Sequence, residues 1–142
     1  MALAAAHTID TLAARLEPLA ATAGRVYTSR AWPLADADLP AWRVVAADEA
    51  CELVDLGGLH RHTLQVDATA LARVTADLDD SLHTLAAGGL ALLFAPTAPY
   101  GLTLAGISRV ITTEGEASVG AITLHLQAIF YSNPATPENI VS

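Results

Sequence analysis

Apolar and polar residues alternate most regularly in two stretches of the chain, and each stretch predicts a β-strand. In His60–Leu71 one face holds Leu64, Val66, Ala68 and Ala70. In Val119–Tyr131 one face holds Ile122, Leu124, Leu126, Ala128 and Phe130. Polar residues fill the other face of the first strand, which predicts an antiparallel sheet that is covered on one side only.

Three further strands are predicted at Arg25–Tyr27, Ala41–Ala47 and Leu102–Glu114. The second of them follows a lead-in that begins at Arg30. In this lead-in, Pro33 and Pro40 keep the chain extended on both sides of an acidic turn, which contains Asp36 and Asp38. Gly57 and Gly58 then mark a hairpin before the strand that begins at His60.

Helical spacing of apolar residues predicts one helix at residues 3–17 and another at Thr75–Phe94. Pro18 should end or kink the first helix because proline lacks the N–H that the helix needs. The second helix opens on Asp79 and Asp80, where the helix dipole favours acids. Gly88 and Gly89 weaken its middle and leave open an earlier end near Ala87.

The order α-β-β-β-α-β-β predicts an α+β fold, a mainly antiparallel β-sheet with two α-helices packed on one face. We expect one domain at residues 1–131. The tail at residues 132–142 is polar and contains Pro134 and Pro137, so we expect it to lack regular structure.

The composition limits the possible functions. The net charge is −8, and all seven basic residues are arginine, so a surface that grips DNA phosphates is not expected. An acidic surface is compatible with a passage through which DNA slides. The single cysteine, Cys51, excludes an internal disulfide. The longest apolar run, Leu85–Ala95, is too short for a membrane span, and the basic region of a signal peptide is missing, so a soluble protein made in a cytoplasm is expected.

Histidines are the first candidates for chemistry. His60 and His62 lie two residues apart on one strand, a spacing that can supply part of a zinc site. No acidic or cysteine partner accompanies them at ligand spacing, so the sequence predicts no metal site. His83 and His125 are isolated and are expected at the surface or at an interface.

Catalytic motifs are also missing. Two acidic pairs could be considered for acid–base catalysis: Asp79 with Asp80, and Glu114 with Glu116. Such catalysis needs burial that shifts the two pKa values of a pair apart, and both pairs are expected on solvated surfaces. Cys51 lies in an acidic stretch, which should raise its pKa and suppress its reactivity. The sequence contains neither a nucleophile elbow nor a phosphate-binding glycine loop. We therefore predict no enzymatic activity and no cofactor.

Arginine and large aromatic residues remain after the fold is accounted for, and these types are enriched at protein–protein contacts. Trp32 and Trp42 could equally well cap the edge of the core. The residues predicted to contact other subunits or partners are Arg30, Trp32, Asp36, Asp38, Arg43, Gly57, Gly58, His60, Arg61, Arg109 and Tyr131.

The order of these weak motifs resembles the tail terminator proteins of long-tailed phages, of the lambda-like type. The resemblance rests on the lead-in R-x-x-P-L-x-x-x-D-L-P-A, the strand HTLQVDATAL, the helix start TADLDDSLHTLA and the final SVGAITLHLQAIFYSNPATPEN. Pro18 and the pair Gly88-Gly89 depart from the family, which has continuous helix there.

The resemblance implies a non-enzymatic virion protein, assembled in the host cytoplasm and located at the neck-proximal end of the tail. Such proteins form a homo-oligomeric ring, typically a hexamer. The ring caps the tail tube protein, stops its polymerisation and meets the head–tail connector. Phages and gene transfer agents both use such parts.

Genome DNA would pass through this ring without specific binding. We expect Asp79, Asp80, Glu114 and Glu116 to line the lumen. The alternatives are another neck or head-completion protein, or a small-molecule-binding or enzymatic α+β domain that uses the open face of the sheet.

Overall fold

The structure is a computed structural model, and it describes residues 4–19, 22, 24–28, 39–73, 78–95, 99–114 and 117–141. The description of residues 99, 112–114, 117–118 and 136–141 is limited to the backbone.

Two α-helices, one short 3-10 helix at Pro99–Gly101 and six strands form the regular structure of the described residues, and they confirm the predicted α+β class. The α-helices are α1 (Ala4–Leu16) and α2 (Leu78–Phe94). The strands are β1 (Val26–Tyr27), β2 (Ala41–Leu53), β3 (His60–Arg73), β4 (Thr103–Glu114), β5 (Ala117–Asn133) and β6 (Thr136–Val141). Neither α1 nor α2 combines the length and the apolar composition needed to cross a membrane, and this holds for every helix in the described part of the chain.

One sheet joins all six strands in the order β1-β2-β3-β5-β4, and β6 also pairs with β5. Only the β1–β2 pair is parallel among the described strand pairs, so the sheet is mainly antiparallel, as predicted. β2 and β3 form the long hairpin that Gly57 and Gly58 indicate. Gly58 has φ +91°, a conformation that glycine adopts without strain.

The core lies between one face of the sheet and the two helices. The alternating residues of β3 and β5 that were predicted to be apolar and inward-facing are all buried. Trp42, from the start of β2, is completely buried and belongs to this core. It therefore cannot contribute to a contact surface.

Gly88 and Gly89 do not end α2, which continues to Phe94. Their role is close packing, because a Cβ added at Gly89 would lie 2.5 Å from the Trp42 ring. The prediction at Pro18 is confirmed, since α1 ends at Leu16 and a turn follows.

Two regions of the chain differ from the prediction. Residues 132–142 were expected to be irregular, but β5 runs to Asn133 and β6 then folds back to pair with it. β2 was expected to end at Ala47, but it continues to Leu53 through a register shift between Ala46 and Glu49.

This shift is a β-bulge, which adds one residue to β2 without a counterpart in β3. Ala46 lies opposite Val66, and Glu49 lies opposite Leu64. Side chains of directly opposed residues share one face of a sheet. The bulge therefore turns the odd-numbered residues that follow it, beginning with Glu49, toward the helix side.

Candidate functional site

Four polar side chains meet near the turn of the β2–β3 hairpin, and we call them the hairpin cluster: Glu49, Cys51, His62 and Ser132. Cys51 lies directly opposite His62 in the β2–β3 ladder. Beyond His62, β5 contributes Ser132, which is buried. The bulge in β2 is what places the Glu49 and Cys51 side chains on this face.

His62 is the centre of the hairpin cluster. Its Nδ1 lies 2.6 Å from Glu49 Oε2 and 3.3 Å from Cys51 Sγ. Its Nε2 lies 2.6 Å from Ser132 Oγ. The imidazole also stacks on Phe130, with ring centroids 4.8 Å apart and planes 7° from parallel. These contacts fix both the position and the orientation of the ring.

Partial burial raises the pKa of the Cys51 thiol, and the charge of Glu49 and its hydrogen bond with the thiol raise that pKa further. The predicted increase is therefore confirmed. A raised pKa leaves less thiolate at neutral pH, so Cys51 is not an activated nucleophile. As metal ligands, however, a thiol, an imidazole and a carboxylate form a suitable set. The expectation that the His60–His62 pair has no acidic or cysteine partner was wrong, because the partners lie on the neighbouring strand.

A second polar line crosses the solvent-facing side of the sheet. His125 Nδ1 lies 2.9 Å from Asp67 Oδ1, and His125 Nε2 lies 2.8 Å from Ser108 Oγ. Next to it, the hydroxyls of Thr69 and Thr123 are 2.9 Å apart. His125 is therefore not isolated, contrary to expectation, and neither is His83, whose Nε2 accepts a hydrogen bond from Arg109 Nε at 3.2 Å.

The line Ser108–His125–Asp67 has the order of a nucleophile, a base and an orienting acid. An acyl-transfer site also needs N–H donors aimed at the developing oxyanion. Around Ser108 one side of β4 is paired with β5, which commits the backbone N–H groups on that side, whereas the other side of β4 is an edge of the described sheet. The N–H groups at this edge lie in the plane of the sheet, away from the face that carries the line. The line can therefore polarise the Ser108 hydroxyl, but these N–H groups are poorly placed to stabilise a reaction intermediate.

Apart from Ile129 on β5, the exposed large apolar side chains of the described residues lie in two separate places. The hairpin patch consists of Leu53, Val54 and Leu56, and Leu56 is fully exposed. The edge patch lies on β4, the last strand in the sheet order, and consists of Leu104, Ile107, Val110 and Ile111. Val110 and Ile111 are 56% and 65% exposed. These two neighbouring residues lie on opposite faces of β4, so apolar side chains are exposed on both faces of this strand.

Several predicted contact residues lie at or near the hairpin. Arg61 forms an ion pair with Glu52, and Arg61 lies opposite Tyr131 on the solvent-facing side. His60 Nδ1 lies 2.8 Å from the Gly58 carbonyl oxygen. Asn133 Nδ2 donates to the Gly57 carbonyl oxygen at 3.2 Å, which ties the hairpin turn to the end of β5. The structure therefore brings Gly57, Gly58, His60, Arg61 and Tyr131 together.

The other predicted contact residues do not join this group. Arg43 is half-buried at the start of β2, and Arg109 contacts α2 through His83. Arg30, Trp32, Asp36 and Asp38 lie outside the described residues.

Of the predicted lumen residues, Asp79 and Asp80 are exposed in the first turn of α2. Asp80 also lines a cavity of about 580 Å³ together with Pro40, Arg73 and Thr84. The side chain of Glu114 and the whole of Glu116 lie outside the described part of the structure. Their placement in a lumen stays a prediction.

Most of the hairpin cluster escaped the sequence analysis, because the bulge changes which residues of β2 face His62. The edge patch was also missed. The sequence contained one sign of this patch. Apolar residues occupy both odd and even positions of β4, whereas a strand that is covered on one face would alternate apolar and polar residues.

Comparison with known proteins adds no family assignment. No protein-family model matches the chain, and no curated protein matches it.

Proposed function

We propose that this protein is a structural subunit of a ring that caps the tail tube of a phage or a tail-derived particle. Its sequence resembles the tail terminator proteins in the order of its motifs. The single observation that carries the proposal is the presence of two different exposed apolar patches on one small chain. Large exposed apolar patches on soluble proteins mark sites of interaction.

The positions of the two patches favour a head-to-tail arrangement. Along β5, Ser132 lies opposite His60 at the hairpin turn, and the edge patch extends from Leu104, opposite Leu126, to Ile111, opposite Gly120. The levels of the edge patch are therefore six to twelve residues from Ser132, or roughly 20–40 Å at about 3.3 Å per strand residue. A ring requires such a pair of distinct surfaces, because each subunit uses one surface for each neighbour.

In the proposed ring the hairpin patch of one subunit packs against the edge patch of the next. β4 offers apolar side chains there and, in the described sheet, pairs with β5 alone. An uncovered edge strand of this length would otherwise promote uncontrolled association. A neighbouring subunit would cover it.

We propose six copies per ring, with the tail tube protein on one side and the head–tail connector on the other. The acidic balance of the chain suits an inner surface that DNA passes without binding. Repulsion between like charges acts over roughly 8–10 Å at physiological salt. This part of the proposal depends on the charge of the sequence and on the exposed Asp79 and Asp80.

Tube assembly in vitro tests this function. The cognate tube protein is polymerised with and without this protein, and tube lengths and tube ends are imaged by negative-stain electron microscopy. We expect shorter tubes with a ring at one end. Tubes of unchanged length with bare ends, at a saturating concentration of folded protein, would contradict the proposal.

A second function is favoured by one specific observation, the hydrogen-bonded line Ser108–His125–Asp67. It would make the chain a hydrolase that uses its open sheet face. A fluorophosphonate probe labels activated serines, so labelling of Ser108 that is lost in His125→Ala would support this function. If the wild type were labelled no more than Ser108→Ala, the hydrolase function would be contradicted, and the line would be a structural feature of the sheet.

A further inference from the structure

Three side chains with zinc-type donor atoms converge near the turn of the β2–β3 hairpin. We propose that Glu49, Cys51 and His62 bind one zinc ion, with Oε2, Sγ and Nδ1 as the ligand atoms. Zinc is bound in proteins by carboxylate, thiolate and imidazole groups. The ligand atoms available from these three residues all lie within 4.8 Å of one another.

The distances between the donors are close to those of a tetrahedral zinc site. Zn–ligand distances of about 2.0–2.3 Å at tetrahedral angles put ligand atoms about 3.3–3.8 Å apart. Cys51 Sγ lies 3.3 Å from His62 Nδ1 and 3.9 Å from Glu49 Oε2. Only the Glu49–His62 distance of 2.6 Å must lengthen, and a rotation of the Glu49 side chain, which is 27% exposed, can supply that movement.

The histidine is already oriented for this role. Metal-binding histidines usually donate their second ring N–H to an oxygen atom, which fixes the tautomer. Ser132 Oγ occupies this position, 2.6 Å from Nε2, and Ser132 is itself buried. Phe130, on the neighbouring strand β5, stacks on the imidazole and holds the plane of this ring. Nδ1 is therefore left facing the carboxylate and the thiol.

Three protein ligands leave the fourth tetrahedral position to water. The ion would link β2 to β3 near the hairpin turn, close to the hairpin patch. Zinc binding does not depend on ring assembly, so either proposal can fail without the other.

The test is equilibrium dialysis of untagged protein against Zn²⁺, with bound metal measured by mass spectrometry. We expect one zinc ion per chain. Cys51→Ala and His62→Asn should each lose it. His60→Gln, which changes the neighbouring histidine two residues away on β3, should keep it. Circular dichroism checks that each variant is folded.

Two further measurements separate coordination from a structural contact. Co²⁺ should give a thiolate-to-cobalt charge-transfer band in the wild type and none in Cys51→Ala. Ser132→Ala should keep the stoichiometry but bind zinc about 10–100-fold more weakly, the usual effect of losing such an orienting partner. Absence of bound zinc in the wild type, or equal zinc binding by the wild type and Cys51→Ala, would overturn the proposal.

Discussion

Cys51 Sγ lies 3.3 Å from His62 Nδ1, because the two residues occupy directly opposed positions of the β2–β3 ladder. Without the bulge after Ala46, the even-numbered residues that follow it would face His62 instead. Asp48, Ala50 and Glu52 would then occupy that side, and the thiol would point to the opposite face. One inserted residue in β2 thus creates the hairpin cluster.

The Cys51 thiol should react slowly with iodoacetamide in metal-free protein at neutral pH. Its pKa is raised, and the thiolate is the reactive form, so the midpoint of the rate against pH should lie above that of an ordinary thiol. Glu49→Gln removes one cause of the increase and should move the midpoint downward, though only in part because burial remains. A wild-type midpoint at or below the ordinary value would contradict this assignment.

Gly89→Ala should destabilise the protein by about 1–3 kcal/mol, because the new Cβ would collide with the buried Trp42 ring. The gain in helix propensity, about 1 kcal/mol, offsets only part of this effect. Urea unfolding measures the difference.

Gly88→Ala is the matched control for this prediction. It brings the same gain in propensity, but its Cβ would meet the end of the Leu19 side chain, which can move. We expect its free energy of unfolding to stay within about 1 kcal/mol of the wild type. Equal effects of the two substitutions would show that close packing at Trp42 is not the reason for Gly89.

Much of this fold can be predicted from the sequence, because alternation in β3 and β5 fixes which residues enter the core. The buried set from Leu64 to Ala70 is one example. The polar composition of the C-terminal tail predicted irregular structure, but backbone pairing with β5 forms the strand β6 there. Sites that join side chains from different strands, such as Asp67, His125 and Ser108, depend on strand order and register. Neither quantity can be read from spacing within one strand.

Mixing two variants tests whether subunits join head to tail. Leu56→Asp disables the hairpin patch, and Val110→Asp disables the edge patch. Each should weaken self-association at least tenfold, since each would place an unpaired charge in an apolar contact. The mixture retains one intact patch of each kind, so it should form heterodimers that sedimentation velocity detects, and no rings.

If the two patches instead met their own copies across a two-fold axis, each variant would still associate through its intact patch. Homodimers of each variant alone, with no additional species in the mixture, would therefore contradict the head-to-tail arrangement.

Reversing the charge of the two acidic side chains in the first turn of α2 should make the assembled ring bind DNA. The double variant Asp79→Lys/Asp80→Lys should retain duplex DNA in a manner that weakens steeply with salt, whereas the wild type should not retain it. Asp10→Lys/Glu17→Lys, at two exposed positions in and just after α1, changes the net charge by the same amount and is the control for charge alone. Equal DNA retention by both variants would contradict the placement of Asp79 and Asp80 in the lumen.

Light scattering coupled to size-exclusion chromatography, applied to the protein alone and to its complex with tail tubes, tests the ring most directly. We predict a bound species with six times the mass of a single chain for each tube end. Monomer alone, both in free solution and in the presence of tubes, would contradict it.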